Sequence, residues 1–268
     1  MAKFIPSQNE GEQNYSKENH AINFLALGVG LVAVIACAFF ALNIFVGVAV
    51  KFIPEGKEYK IFKASESERA IEPKHERLAR QIRTLTSRLN SCAKVKNEYF
   101  IVINESKIPN ASAALNGALT VNTGLFSHIK SENGLAFVLA HELAHFKHRD
   151  HIKGLGNGAV MAILFGFSDE RLSQILGGAI AGKYSRSQEA AADSEALRIL
   201  NCAYGHIGGA DEFFASAKKL GDSDTFINLF ESHPLLQKRI DAIKSSNFGV
   251  QNTIKLEENL SEVVKFKR

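Results

Sequence analysis

Residues 21–50 contain no charged side chain, and Leu, Val, Ala, Ile and Phe dominate them. A helix needs about 20 apolar residues to cross roughly 30 Å of hydrocarbon, so these positions suffice for one tilted span and not for two. A cleaved signal peptide is the competing reading, but its apolar core would be about 7 to 15 residues and would follow a short basic start. Here the run is longer and twenty mostly polar residues precede it. The expected layout is a polar tail over residues 1–20, a transmembrane helix over 21–50, a juxtamembrane linker over 51–66 and a folded domain over 67–268.

Such a chain is expected in the cell (inner) membrane as a single-pass protein, touching lipid through this helix. Lys3 and Lys17 precede the segment, whereas Lys51, Lys57, Lys60, Lys63 and Arg69 follow it. The positive-inside rule therefore places the C-terminal domain in the cytoplasm. A net charge of +4 with no block of basic residues gives no support to nucleic-acid binding. Cys37, Cys92 and Cys202 are odd in number and far apart, and they read as free thiols.

The domain reads as mainly α with a small β-sheet, an α+β class. An amphipathic helix is expected over residues 67–89, with Leu78, Ile82, Leu85 and Leu89 as its apolar stripe. Short runs rich in β-formers at residues 99–103 and 118–121 are expected to pair, with Pro109, Asn110, Asn116 and Gly117 supplying turns between them. Ser131 is placed to cap a following helix that carries Leu135, Val138, Leu139 and Phe146 on an apolar face. Residues 154–168 and 172–182 are too short to span a bilayer and read as core rather than as a hairpin dipping into the membrane.

Within the Ser131-capped helix stands His141-Glu142-Leu143-Ala144-His145. Residues four apart share a helix face, so two imidazoles can aim at one ion while Glu142 lies about 100° round the helix beside it. Such groups are costly to bury without a metal or hydrogen-bond partners. The bland alternative is a polar turn of an ordinary surface helix. A hydrolytic zinc site needs a third protein ligand and an open position for water. Downstream, Ser185-Arg186-Ser187-Gln188 has the form of a capping box and opens an Ala-rich helix carrying Glu189 and Asp193 on one face. Glu189 is placed to complete a His₂Glu site, and Asp193 to accept the free ring N–H of a ligand histidine. Taken alone, those two carboxylates would read as a solvated helix face.

These motifs, followed by Ser232-His233-Pro234 and Arg239, resemble the membrane-associated zinc metallopeptidases that include HtpX, BepA and the CAAX prenyl endopeptidases. The resemblance extends over about residues 69–244. It implies a gluzincin-like domain with one Zn²⁺ on His141, His145 and Glu189 and with Glu142 as general base. It further implies that Ala111, Ser112 and Ala113 lie on an edge strand that receives an extended substrate, and that His233 approaches the metal as a transition-state donor or fourth ligand. Arg239 either pairs with a carboxylate near the site or closes a helix turn. Many members of that family carry His where this chain has Asp150. His148 and His151 beside it read as solvated cations near a helix end.

The function so implied is a membrane-anchored zinc metalloendopeptidase acting on protein or peptide substrates within protein quality control. A chaperone or scaffold whose zinc is structural or self-blocked is the alternative, and a membrane receptor with a chance motif is a weaker one. Some relatives work in the periplasm, which conflicts with the face set by the charges. The oligomeric state is not legible.

Overall fold

The structure is a computed structural model that describes residues 20–52, 54–57, 69–152, 184–219, 236–246 and 252–256. Helix α1, His20–Phe52, carries the apolar run, and its described side chains are mostly exposed rather than packed into a core. Its stretch His20–Leu42 is long and apolar enough to cross a membrane, by length and composition. A turn at Pro54 then brings the chain against the domain, with Lys96 Nζ 2.5 Å from Glu55 Oε2. Gly56 has φ +79°, and a Cβ there would lie 2.6 Å from the Lys96 carbonyl oxygen, so only glycine fits this approach.

Helix α2, Glu76–Ala93, begins later than its apolar pattern suggests, after a 3₁₀ turn over Pro73–His75. Proline favours the first helical turn and pushes the preceding residue toward extended backbone, which is where Glu72 lies. Leu78, Ile82, Leu85 and Leu89 are buried as expected, joined by Ala79 and Ala93. Lys94 ends the helix in the left-handed region at φ 57°.

Strands β1, Phe100–Asn104, β2, Ala111–Ala113, and β3, Ala118–Asn122, form a sheet in the order β1-β3-β2. The β1–β3 pair is parallel, with Phe100 opposite Ala118, and β2–β3 is antiparallel, with Ala111 opposite Val121. β2 therefore ends the sheet with one side unpaired by any described strand. Asn116 Oδ1 accepts the Ala118 N–H at 3.1 Å, and Gly117 takes φ +85° to close the β2–β3 turn.

Helix α3, Glu132–His148, runs through the middle, and its residues from Asn133 to Phe146 are all buried. A helix apolar nearly all round belongs in a core, and α3 packs against α2, β2 and helix α4, Arg186–Tyr204. Ser131 caps α3 by accepting the Gly134 N–H at 2.9 Å. Helix α5, Glu212–Lys219, sets Phe214 edge-on against Phe137, and helix α6, Leu236–Ser245, adds Ile240 and Ile243 to the core. The domain is thus mostly helical with a three-stranded sheet, the α+β class expected.

The cysteine reading is corrected. Cys92 and Cys202 form a disulfide with their Cα atoms 6.0 Å apart, and Cys37 is the free thiol. The pair is 110 residues apart in sequence and meets because the C-terminal ends of α2 and α4 lie side by side, a placement that spacing along the chain does not show. Residues 154–182, read as core, lie outside the described residues.

Candidate metal centre

The i,i+4 spacing on α3 brings His141 and His145 to one face, with the rings 4.6 Å apart and nearly perpendicular. Their Nε2 atoms stand 3.0 Å apart. From α4, Glu189 reaches the same point, with Oε2 3.5 Å from His141 Nε2 and Oε1 3.4 Å from His145 Nε2. Donor atoms 2.0 to 2.2 Å from a tetrahedral zinc stand about 3.3 to 3.6 Å from one another, so the triangle has nearly the size such an ion needs. Two imidazole lone pairs also cannot face each other at this range without a proton or a cation between them. The residues present therefore fit a divalent metal. These three residues and Glu142 are each no more than 5% exposed.

The outer ring nitrogens are tied to carboxylates, which leaves the inner ones for a metal. His141 Nδ1 lies 3.0 Å from Asp193 Oδ1, and His145 Nδ1 lies 3.1 Å from Asp150 Oδ2. Arg239 on α6 forks onto Asp193, with Nε 2.6 Å from Oδ2 and one terminal nitrogen 2.7 Å from Oδ1. Its other terminal nitrogen is 2.8 Å from Glu189 Oε2, and its guanidinium lies over the Phe214 ring at 4.8 Å. The fork meets a carboxylate, as one of the two expectations for Arg239 had it. Tyr184 stacks on His145 with centroids 3.8 Å apart and planes inclined by 11°.

Burial pushes the His141 imidazole well below its usual pKa, despite the hydrogen bond to Asp193. Burial works the same way on His145, but Asp150, Glu189 and the charge of Glu142 outweigh it and raise that ring. Burial opposes the charge on Asp193, yet the Arg239 fork and the His141 N–H hold its carboxyl below the ordinary range. The centre concentrates four carboxylates, Glu142, Asp150, Glu189 and Asp193, around two imidazoles and one guanidinium, an arrangement suited to a cation.

Comparison with known proteins places this arrangement. Residues 74–247 match the model of peptidase family M48. The chain belongs to peptidase family M48. A protease HtpX homolog from Acidiphilium cryptum (strain JF-5) is 32% identical over 202 residues, covering 65% of this chain and 66% of its own length. The chain spans about two thirds of that relative's length; the family is one of metallopeptidases, and His141, His145 and Glu189 form a possible metal site in this chain.

Other sequence-based expectations are distributed around that site. Ala111, Ser112 and Ala113 are β2 itself, with Ala111 and Ala113 buried, and β2 packs against α3. His233 lies outside the described residues. His151 is not a solvated cation: it is 3% exposed, lies edge-on to Phe146 at 5.4 Å, and burial lowers its pKa to about 4. His148 is only half-buried, with Nδ1 3.9 Å from Asp150. The sequence pattern gives Asp150 and Tyr184 no role, because neither shares a helical period with His141 and His145, and each reaches His145 only through the folded chain. Asp150 returns because Arg149 takes φ 57° and reverses the backbone after α3. A second grouping, Glu72, His75 and Glu105, is already neutralised, with Lys74 Nζ 2.8 and 2.7 Å from the two carboxylates.

Proposed function

We propose that this chain is a membrane-anchored zinc endopeptidase that degrades misfolded or membrane-associated proteins, and that one Zn²⁺ is held by His141, His145 and Glu189. The observation that carries the reading is the convergence of two Nε2 atoms and a carboxylate within 3.0 to 3.5 Å of one another, each imidazole backed by a carboxylate. Zinc bound there supplies a water acidified toward neutral pH and a Lewis acid for the scissile carbonyl. Glu142, next to the first ligand on α3, takes the proton from the attacking water and returns it to the leaving amine. Asp193 and Asp150 hold the ligand rings in the tautomer that presents Nε2, and Arg239 keeps Asp193 ionised and in place. An extended substrate adds to the side of β2 that no described strand pairs, through main-chain hydrogen bonds along Ala111, Ser112 and Ala113. His233 is assigned to the developing oxyanion.

The disulfide supports an extracytoplasmic catalytic domain, because cytosolic thiol systems keep cysteines reduced whereas the periplasmic side oxidises them. That consideration outweighs the modest lysine excess after α1, and α1 is then the single anchor. A reporter fused to the C-terminus that is active only on the cytoplasmic side would reverse the assignment.

The test of the activity is casein cleavage by the purified full chain with and without a chelator, beside Glu142→Gln. The variant is expected to keep one zinc per chain and lose at least about 100-fold in cleavage, the usual share of a positioned general base. Substantial turnover by Glu142→Gln removes the role given to Glu142, and a chain without stoichiometric zinc removes the reading altogether.

A further inference from the structure

The side chain of Gln188 makes two connections that serve different ends. Its Oε1 accepts the Ser185 N–H at 2.8 Å, while the Gln188 N–H meets Ser185 Oγ at 3.3 Å, so the two residues form the capping box that starts α4. Its amide nitrogen, Nε2, donates to Asp150 Oδ1 at 3.1 Å. The other oxygen of Asp150 receives the His145 ring at 3.1 Å. The amide orientation follows from its partners, since a flip would set NH₂ against an N–H and oxygen against a carboxylate.

We propose that Gln188 is a positioning residue for the metal centre: it ties the start of the helix that carries Glu189 to the carboxylate that orients His145. The proposal rests on the zinc reading above and extends it to a residue that touches neither the ion nor the substrate. Glu189 follows Gln188 directly, so whatever sets the first turn of α4 sets the third ligand as well. Asp150 lies beyond the end of α3 and is 1% exposed. Through it, one amide links the third ligand's helix to the second ligand's ring and maintains the 3.4 Å between His145 Nε2 and Glu189 Oε1.

Capping and positioning separate by substitution, because Glu serves a capping box as well as Gln but cannot donate to Asp150. Gln188→Glu is expected to keep the far-UV circular dichroism of the folded metal-free chain while lowering its melting temperature, because a carboxylate then faces the buried Asp150. Its zinc affinity, measured by competition with a chromophoric chelator, is expected to fall about 10-fold, the low end of what losing the carboxylate behind a ligand histidine costs, because Asp150 remains but loses the donor that holds it. Cobalt substituted at the site should show an altered visible spectrum. The sign is diagnostic, because an added negative charge acting only through space would strengthen cation binding. The double variant Gln188→Glu/Asp150→Asn exchanges the partners: the new amide at 150 donates to the new carboxylate at 188 and still accepts from His145. It restores the original net charge and is expected to recover most of the affinity.

Gln188→Glu with wild-type zinc affinity overturns the proposal while leaving the zinc reading intact. So does a double variant whose loss equals the two single losses combined. Wild-type chain that takes up no zinc overturns the zinc reading, and the proposal with it. Gln188→Ala removes both connections; an unchanged zinc affinity in a folded Gln188→Ala chain also refutes the positioning role.

Discussion

Breaking the Cys92–Cys202 bond tests the packing of the whole domain, because the bond closes a loop that contains all three candidate ligands. The residues joined are 110 apart, and α3 together with most of α4 lies between them. Chain entropy lost from the unfolded state by closing a loop of that length is worth about 4.8 kcal/mol, while native disulfides typically contribute about 2 to 5 kcal/mol. The expected cost of Cys92→Ser/Cys202→Ser is therefore about 2 to 5 kcal/mol. With a guanidinium slope of about 4 kcal/mol per M, the unfolding midpoint should fall by roughly 0.5 to 1.2 M. Far-UV circular dichroism of the detergent-solubilised full chain reads that midpoint, with and without reductant. The serine variant should show no further response to reductant. Alkylation of the denatured chain should mark one thiol before reduction, that of Cys37, and three after it. Three thiols before reduction, or equal midpoints in the oxidised and reduced chains, would refute the packing of the α2 and α4 ends described above.

Arg239→Ala should destabilise the domain by about 3 to 5 kcal/mol, because it strands the buried Asp193 carboxylate without its fork; a melting temperature like that of wild type would contradict the ion pair. Lys94→Gly should stabilise by about 1 kcal/mol, since Lys94 sits at φ 57° where a side chain is strained, and equilibrium denaturation measures the gain. Glu195 lies between Arg198 and Lys147, whose hydrogen bonds outweigh the effect of burial and hold its pKa at about 2. A depressed carboxylate stabilises fully above its unfolded value near 4.5 and loses that contribution as pH falls through about 2. Glu195→Gln should then be less stable than wild type by on the order of 1 kcal/mol at pH 7 and no less stable near pH 2, as pH-dependent melting would show.

How much of the centre could be read in advance depends on how far apart in the chain its parts lie. His141 and His145, or Glu189 and Asp193, are four residues apart, and helical geometry alone puts each pair on one face. The caps Ser131 and Ser185 act within three residues of themselves, so they were also legible, although the capping amide of Gln188 had a second partner that no local pattern announces. Asp150 has no helical phase to share with His145, because the chain leaves the helix at Arg149 through a left-handed residue that is not glycine.

The amino-acid sequence by itself determined the long apolar helix, the pairing of His141 with His145 and of Glu189 with Asp193 on single helix faces, and the start of each helix that carries them. Those features depend on solvent preference and on interactions within one or two turns of backbone. Only the tertiary structure decided that Cys92 meets Cys202, that His151 is buried beside Phe146, and that Arg239 and Asp150 close around the two imidazoles. Each of these needs separate elements docked at a particular distance and angle, and that geometry is a property of the packed core as a whole rather than of any short stretch of chain.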